Sequence, residues 1–489
     1  MQNPSPAHIQ PADDLPKAHF IGVCGAGMSA VAHLMQQAGY AVSGSDEGFY
    51  PPVSDYVARI GIETRQGYAA GNIPADAARI VIGKNAKLVP ETNAEVAQAL
   101  TGHKSQVRSF PEIVSEMART THNIVVAGSY GKSTVTSLIA FVLAHAGYDP
   151  SYLIGALPHG FDHTSNLGAG AHFVIEGDEY PSANWDSRSK FEHYRPSTVV
   201  LTAACHDHVN VFPTLAEYHA PFHRLMNLIT QDGLLVACTA ESNARSFFDA
   251  FNGRKRSYGI DAHDAEWQAH NLAPGAVTTF SLIADGATLG TIHTTLLGRH
   301  NVENILATAA VLLGGSIVTF KQFAVAIAAF EGLARRLDRK VPKASAIHVY
   351  EGFGSSHEKA RSAIDAMRLH FPESRLIVLF EPHTFTWRNR NALPQYRTAF
   401  DGTDMVFAHK PPVQGETSHN QASLDEILTE ARRWHPHVQP FNSVAEIVDA
   451  AQPGDVVLIL SSGNFDGLMQ PVIKSLAEKG LAAKGSAAH

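Results

Sequence analysis

Apolar positions in this chain gather into short, nearly continuous runs, separated by glycine-rich turns and by stretches with helical spacing. Ala18-His-Phe-Ile-Gly-Val23 reads as a strand, a glycine turn follows, and Ser29-Ala-Val-Ala-His-Leu-Met35 reads as a helix. Tyr40–Ser43 and Arg79–Ile82 add further short buried strands. A second series runs through Val125, His172–Ile175, Thr198–Leu201 and Leu234–Ala237, then a more antiparallel-looking stretch near 277–297. A third series starts near Ala346–Tyr350 and continues at Arg375–Phe380 and Asp455–Leu460. Strands that are apolar on both faces, alternating with helices, predict parallel doubly wound sheets and hence an α/β protein. At 489 residues the chain exceeds one core, and boundaries near 120 and 340 divide it into 18–120, 121–338 and 339–480. The first eighteen residues and the Ala/Gly/Lys tail after about 478 read as disordered.

The candidate chemistry begins at Val125-Val-Ala-Gly-Ser-Tyr-Gly-Lys-Ser-Thr134. A strand runs into a glycine turn, then Gly131, Lys132 and two hydroxyls open the apolar helix Leu138–Leu143. Such a turn aims backbone N–H groups and a positive helix end at a phosphate, the lysine adds a point charge, and Ser133 or Thr134 can hold magnesium. A strict P-loop has glycine where this chain has Val126, so the match is to the shortened form Gly128-x-x-Gly131-Lys132-Ser133. Gly22-Val-Cys-Gly-Ala-Gly27 marks a second phosphate turn, with Asp46 after the next strand, where an acid often meets a ribose. Cys24 stands at the second glycine of the dinucleotide fingerprint, so the loop indicates phosphate more surely than NAD. Two phosphate turns in separate domains point to two phosphorylated ligands.

Two further clusters bear on a metal. Glu176, Asp178 and Glu179 follow a buried run and so emerge at a strand end; Cys205-His-Asp-His208 lies just past the next strand. Magnesium favours carboxylate and phosphate oxygens, which suits Glu176, while His208 could join a softer divalent site. The dense Cys-His-Asp-His spacing is wrong for structural zinc, and a solvated histidine pair stays open.

Composition changes the picture only by exclusion. A formal charge of −8 without any basic run argues against a nucleic-acid or anionic-membrane surface. Three scattered cysteines make no disulfide framework, which suits a reducing, cytoplasmic setting. The first twenty residues lack a signal-peptide core, and no apolar run approaches the roughly 20 residues of a membrane helix.

Taken together, these segments resemble the Mur ligase family, ATP-dependent amide-forming enzymes of bacterial cell-wall precursors. His19–Ser29 looks like the family's first-domain turn, and the resemblance implies UDP-substrate contacts at Gly22, Gly25, Gly27, Met28, Ser29 and Asp46. Ala127–Thr134 looks like its ATP loop, while Gly298-Arg-His-Asn301 with Asn304 and the pair Arg335-Arg336 match its later nucleotide segments. ATP contacts are implied at Gly128, Gly131, Lys132, Ser133, Thr134, Asn301 and Arg336, catalytic roles at Lys132, Glu176 and His208, and a magnesium site at Ser133, Glu176 and His208. The implied architecture is a Rossmann-like N-terminal domain for the UDP substrate, a central P-loop-type ATPase domain and a Rossmann-like C-terminal domain for the amine. Ser43–Pro52 and Asp186–Tyr194 resemble the subgroup that joins a recycled tripeptide to UDP-N-acetylmuramate.

The chain also departs from the family. Tyr130 and Ser133 stand where the ATP loop usually has histidine and threonine. In Thr202-Ala-Ala-Cys-His-Asp-His208 only Asp207 and His208 match, an asparagine and a glutamate being absent. The third-domain signature appears as Glu351-Gly-Phe-Gly-Ser-Ser-His357, with one acid lost at Gly352 and two histidines replaced by Ser355 and Ser356. Pro382-His383 with Arg388 and Arg390 resembles the loop that meets the amine substrate's carboxylate, with the arginines offset. Expected partners are small molecules, a UDP-linked acid and an amino acid or peptide, with ATP and magnesium and no nucleic acid or membrane. The chain is expected as monomer or homodimer. An active ligase, for the recycled tripeptide or for another acid and amine, a nucleotide-binding relative without chemistry, and a nicotinamide oxidoreductase all stay open, the second phosphate loop weighing against the last.

Overall fold

The computed structural model describes residues 15–50, 53–208, 211–412 and 420–486. The disorder expected for the first eighteen residues falls mostly outside them. The tail does not: a helix spans Met469–Ser486, with Val472 and Leu476 buried among strands of the C-terminal sheet. The Ala/Gly/Lys composition read as disorder therefore misled, because the apolar residues at the helix start supply the anchoring face. The chain forms two compact units, one made of 1–270, 281–292 and 303–329, the other of 271–280, 293–302 and 330–489.

The first unit holds one sheet whole and most of a second. Strands β1 (Lys17–Ile21), β2 (Ala41–Asp46), β3 (Glu63–Gln66), β4 (Ala77–Ile82) and β5 (Val107–Arg108) are parallel in the order β3-β2-β1-β4-β5. The order reverses beside β1, and ligands of open α/β sheets bind outside the carboxyl ends of strands at such a reversal. The glycine turn follows β1 there. The second sheet is built on β6 (His122–Ala127), β7 (Ser151–Leu153), β8 (Ser165–Asn166) and β9 (His172–Glu176). A separate two-stranded ribbon, β10 (Pro181–Ala183) and β11 (Asp186–Ser189), intervenes. The sheet resumes with β12 (Thr198–Leu201), β13 (Leu234–Cys238), β14 (Arg254–Tyr258), β15 (Trp267–Ala273), β16 (Thr278–Ala284) and β17 (Ala287–Thr294). Its order is β17-β16-β15-β14-β13-β12-β6-β9-β7-β8, so β6 lies between parallel β12 and β9, again at a reversal.

Ile124, Val125, Val126 and Ala127 are wholly buried, as expected of a strand covered on both faces. The helix Lys132–His145 that follows is buried along most of its length, and Thr136 and Ser137 satisfy their hydroxyls on the Lys132 and Ser133 carbonyls at 2.8 and 2.6 Å. That back-bonding gives the buried hydroxyls hydrogen-bond partners within the helix.

The second unit carries a six-stranded sheet of β18 (Arg336–Arg339), β19 (His348–Gly352), β20 (Leu376–Phe380), β21 (Met405–Ala408), β22 (Val438–Pro440) and β23 (Val456–Leu460). The order is β18-β19-β23-β20-β21-β22, and only β18 runs antiparallel to its neighbour. The boundary expected at 338–339 falls inside β18. The charged strands β3, β14 and β18 carry no apolar run to announce them and are held by their neighbours' backbone ladders.

Candidate active site

After β6 the chain enters the expected phosphate turn. Gly128 has φ +140°, and a Cβ there would lie 2.3 Å from Thr202 Oγ1 and 2.7 Å from the Ala203 carbonyl oxygen. Glycine is thus required on both conformational and spatial grounds. Gly131, at φ +81°, is the left-handed N-cap of helix Lys132–His145, which leaves the first-turn N–H groups without a side-chain cap. Uncapped N–H groups at a helix start are an anion cradle. The Thr202 hydroxyl donates to the Tyr130 carbonyl and, at 3.3 Å, to that of Ala127. Ser129 Oγ donates to the Cys205 carbonyl at 2.6 Å and accepts from Tyr218 OH at 3.1 Å. The turn is thus tied down by the segment after β12.

Lys132 projects from this cradle. Its Nζ donates to the Gly128 carbonyl at 2.5 Å and reaches Glu179 Oε2 at 3.1 Å. Glu179 is only 1% exposed, and its other oxygen lies 3.1 Å from His208 Nε2. His208 Nδ1 is 2.8 Å from Tyr180 OH. One buried carboxylate therefore joins the loop lysine to the histidine. The hydrogen bond to Glu179 holds the His208 imidazole above its ordinary pKa, against burial and Lys132, with Asp207 adding to the upward pull. His208 adopts φ +54°, and its N–H donates to Asp207 Oδ1 at 2.7 Å.

Glu176, at the end of β9, accepts from Ser133 Oγ at 2.9 Å and from the Gly155 N–H at 2.6 Å. The structure thus brings Ser133 and Glu176 together, while His208 turns to Glu179. Among the described residues no group of three or more His, Cys, Asp or Glu side chains is gathered in a metal-binding arrangement. Ser133 and Glu176 supply hydroxyl and carboxylate oxygens, the donors a magnesium ion prefers, and that pair fits such an ion beside a phosphate.

The first glycine turn is built differently. Gly22, at φ +86°, and Val23 donate to the Ser45 carbonyl at 2.9 and 3.1 Å, pinning the turn to β2. Gly25 caps the helix Ala26–Gln37 without a side-chain bond, Gly27 lies in its first turn, and Met28 and Ser29 are buried in it. Asp46 accepts from the Cys24 N–H at 2.9 Å and from Tyr68 OH at 3.4 Å, so it braces the turn. Burial, and then Asp46, push the Cys24 thiol up to about 11, which keeps it protonated and unreactive at neutral pH. Beneath the turn, buried His19 lies 2.6 Å from Glu95 and 2.8 Å from Ser43, and Glu95 also accepts from Ser45, Ala69 and Asn72.

Asn301 and Arg336 belong to the second unit. Asn301 Nδ2 donates to the Leu297 carbonyl at 2.8 Å, and Arg336 opens β18 opposite Gly352. Glu351, at the end of β19, is 3% exposed and bridges Arg335 Nε at 2.7 Å and Lys340 Nζ at 3.1 Å. Arg388 donates to the Pro412 carbonyl at 3.3 Å, and Arg390 pairs on the surface with Glu426 at 2.9 Å. Each of the three engages a different partner. Ser356 caps the helix His357–His370, so one serine in place of histidine takes up a local capping role.

Sequence reasoning placed Glu179 in the acidic cluster bearing on a metal without naming its partners, and left Tyr180, Lys190 and Glu241 without roles. Glu241 accepts from the Ala204 N–H at 2.9 Å and caps the helix Ser242–Ala250, bringing a carboxylate to the Cys205 segment from which the expected glutamate is missing. The one available signal for Glu179 was its position three residues beyond Glu176.

Two glycine turns at two sheet reversals, one carrying a lysine and a Ser–Glu oxygen pair, are the architecture of a nucleotide-triphosphate-using enzyme. Comparison with known proteins gives the particular family. Residues 17–122 match the Mur ligase family catalytic domain and 126–312 the Mur ligase middle domain. The chain is 30% identical over 459 residues to the UDP-N-acetylmuramate–L-alanine ligase of Geobacter sulfurreducens, covering 92% of this chain and 95% of that one. It is 29% identical over 471 residues to the UDP-N-acetylmuramate–L-alanyl-γ-D-glutamyl-meso-2,6-diaminoheptandioate ligase of Escherichia coli, covering 96% and 100%. A murein peptide ligase structure from Psychrobacter arcticus superposes with a TM-score of 0.63 at 26% identity, covering 94% and 99%. The chain belongs to the Mur ligase family. It is an ATP-dependent acid–amino acid ligase acting on small molecules.

Proposed function

We propose that the protein activates the carboxylate of UDP-N-acetylmuramate and joins it to the amine of an L-alanyl-γ-D-glutamyl-diaminopimelate peptide, as its Escherichia coli relative's name describes for that enzyme. The observation that carries this reading is the Lys132–Glu179–His208 chain beside the Ser133–Glu176 pair, at the ends of β6 and β9. The substrate carboxylate attacks the γ-phosphorus of ATP, ADP leaves, and an acyl phosphate forms. The amine then adds to the activated carbonyl, loses a proton, and expels inorganic phosphate. Lys132 and the N–H groups after Gly131 stabilise charge on the transferring phosphoryl group. Ser133 and Glu176 would hold a magnesium ion, which supplies charge neutralisation on the phosphates when bound. Glu179 keeps Lys132 extended toward the phosphates, and His208 lies at the far side of the same carboxylate. Gly22, Gly25 and Gly27 offer the other phosphate turn to the UDP diphosphate.

The C-terminal unit favours a second reading of the amine. Glu351 is neutralised by Arg335 and Lys340, and Arg390 is occupied by Glu426, so this unit supports an amine donor that differs from the relatives'. We place the enzyme in the cytoplasm, in peptidoglycan recycling, which the three free cysteines support; among the described residues no helix is long and apolar enough to cross a membrane. The test is incubation with ATP, magnesium, UDP-N-acetylmuramate and the tripeptide, following ADP by coupled assay and product by mass. The amide mass together with ADP is expected. ADP formation only with another amine would replace the tripeptide, and no ADP with any acid would remove the proposal.

A further inference from the structure

The helix Arg299–Leu312 begins in the second unit and continues from Glu303 in the first. Asn304, in its second turn, lies against the phosphate loop: a Cβ at Gly131 would sit 2.9 Å from Asn304 Oδ1. The position of this helix therefore bears on the shape of the ATP loop. Its start is fixed by two residues of the second unit. Leu297 is buried in the same apolar cluster as Ala363, Ile364 and Met367 of the helix His357–His370. The Gly298 N–H donates to His370 Nε2 at 2.6 Å. Gly298 takes φ +92°, and a Cβ there would meet the His300 ring at 2.6 Å, so glycine is required for this approach. His370 ends its helix and is only 6% exposed.

The other ring nitrogen is engaged as well. His370 Nδ1 lies 2.9 Å from the Gly275 carbonyl oxygen, in the turn between β15 and β16, with the Thr278 hydroxyl at 3.5 Å. A backbone N–H only donates and a carbonyl only accepts, so Nε2 is bare and Nδ1 carries the proton. One neutral tautomer thus satisfies both segments. Protonation sets a second N–H against that of Gly298 and breaks the tether. Burial pushes the His370 imidazole below its ordinary value, with the Gly275 carbonyl pulling the other way. Residues Ala273–Ala284 carry no titratable side chain, and Arg368 on the same helix is drawn to Asp404. The 298–301 turn brings Arg299 and His300, and β18 brings Arg336 near His300. Burial, then His370 and Arg336, hold His300 down to about 4, which leaves it neutral at mildly acidic pH.

We infer that His370 is a positioning residue for ATP binding: as a neutral imidazole it ties the Gly298 helix start to the β15–β16 turn, and through that helix it sets Asn304 against the ATP loop. The inference rests on the ATP loop proposed above and adds to it a residue outside the loop. His370→Phe fills the space but leaves the Gly298 N–H and the Gly275 carbonyl without partners. His370→Gln offers one acceptor and one donor and has no charged form.

The experiment is calorimetric titration of the full chain with a non-hydrolysable ATP analogue and magnesium, from about pH 8 to about pH 5.5. Wild type, His370→Phe, His370→Gln and Lys132→Ala are compared, and no acid or amine is added, so the result is independent of their identity. At the alkaline end His370→Phe is expected to bind about tenfold more weakly, and His370→Gln within about twofold of wild type. The tethered histidine has a lower pKa than the released one, so the released state binds more protons. Wild-type affinity relative to His370→Gln therefore falls as pH drops through about 6.5, and the ratio cancels the analogue's own titration. Full affinity in folded His370→Phe, equal weakening by glutamine and phenylalanine, or a ratio constant with pH overturns the tether. If circular dichroism shows that His370→Phe does not fold, the pH comparison with His370→Gln decides alone. Binding weakened by Lys132→Ala but by neither His370 variant overturns the tether and leaves the ATP loop standing. Binding that Lys132→Ala leaves at the wild-type level overturns both.

Discussion

Glu179 gives the sharpest test of how the ATP lysine is held. Its carboxylate is 1% exposed and carries Lys132 on one oxygen and His208 on the other, each at 3.1 Å. Truncation to alanine leaves Lys132 and His208 facing a void. Breaking a buried ion pair from one side costs about 3–5 kcal/mol. The Lys132 and His208 side chains keep 16% and 28% exposure, so water screens part of the loss, and about 2–3 kcal/mol is the expected destabilisation. Glutamine is the more informative variant. Its carbonyl oxygen can still accept from one cation, but its NH2 is donor-only and must face the other. Losing one charge-assisted hydrogen bond, about 1.5–3 kcal/mol, predicts a fall of about ten- to a hundredfold in kcat/KM for ATP. Aspartate keeps the charge but falls one methylene short, so its loss should be intermediate. Steady-state kinetics with ATP varied, beside circular dichroism and urea titration, separate positioning from unfolding. If folded Glu179→Gln and Glu179→Asp both stay within twofold of wild type, the Gly128 carbonyl alone positions Lys132 and the reasoning is wrong.

Other outcomes follow from the same geometry. Lys132→Ala should lower turnover by orders of magnitude with an intact circular-dichroism spectrum, and near-normal turnover would reject the ATP-loop assignment. Gly128→Ala forces a side chain into φ +140° against Thr202 and the Ala203 backbone; a loss of about 3 kcal/mol or more is expected, measured as a lower urea midpoint. Buried His33 is held down to about 4 by burial and by neighbouring His163. Its folded value lies below the unfolded one, so the unfolded chain binds more protons and stability falls as pH drops from about 6.5 toward 4. His33→Gln should flatten that slope in urea titrations between those pH values; an unchanged slope would show that His33 is not its source.

The sequence by itself determined the α/β class, the two phosphate turns and the family, because each is a local pattern. A buried strand, a glycine with positive φ and a helix start lie within a dozen residues of one another, and their physics is read from adjacent positions. Val125–Thr134 and His19–Ser29 needed no distant partner to be recognised. The charged strands β3, β14 and β18 were hidden for the opposite reason, since they owe their conformation to the ladders of neighbours far along the chain. Composition misled at the tail, where a few apolar residues anchor the helix Met469–Ser486. The placement of side chains across segments was decided by tertiary structure alone. Glu179 is three residues from Glu176, yet only the fold shows that it serves Lys132 and His208 while Glu176 serves Ser133. Glu351, Arg388 and Arg390 look like one substrate-binding set in the sequence but are drawn by their own partners into separate contacts. Charge pairing acts through space over a few ångströms, and only the folded chain sets which charges come that close.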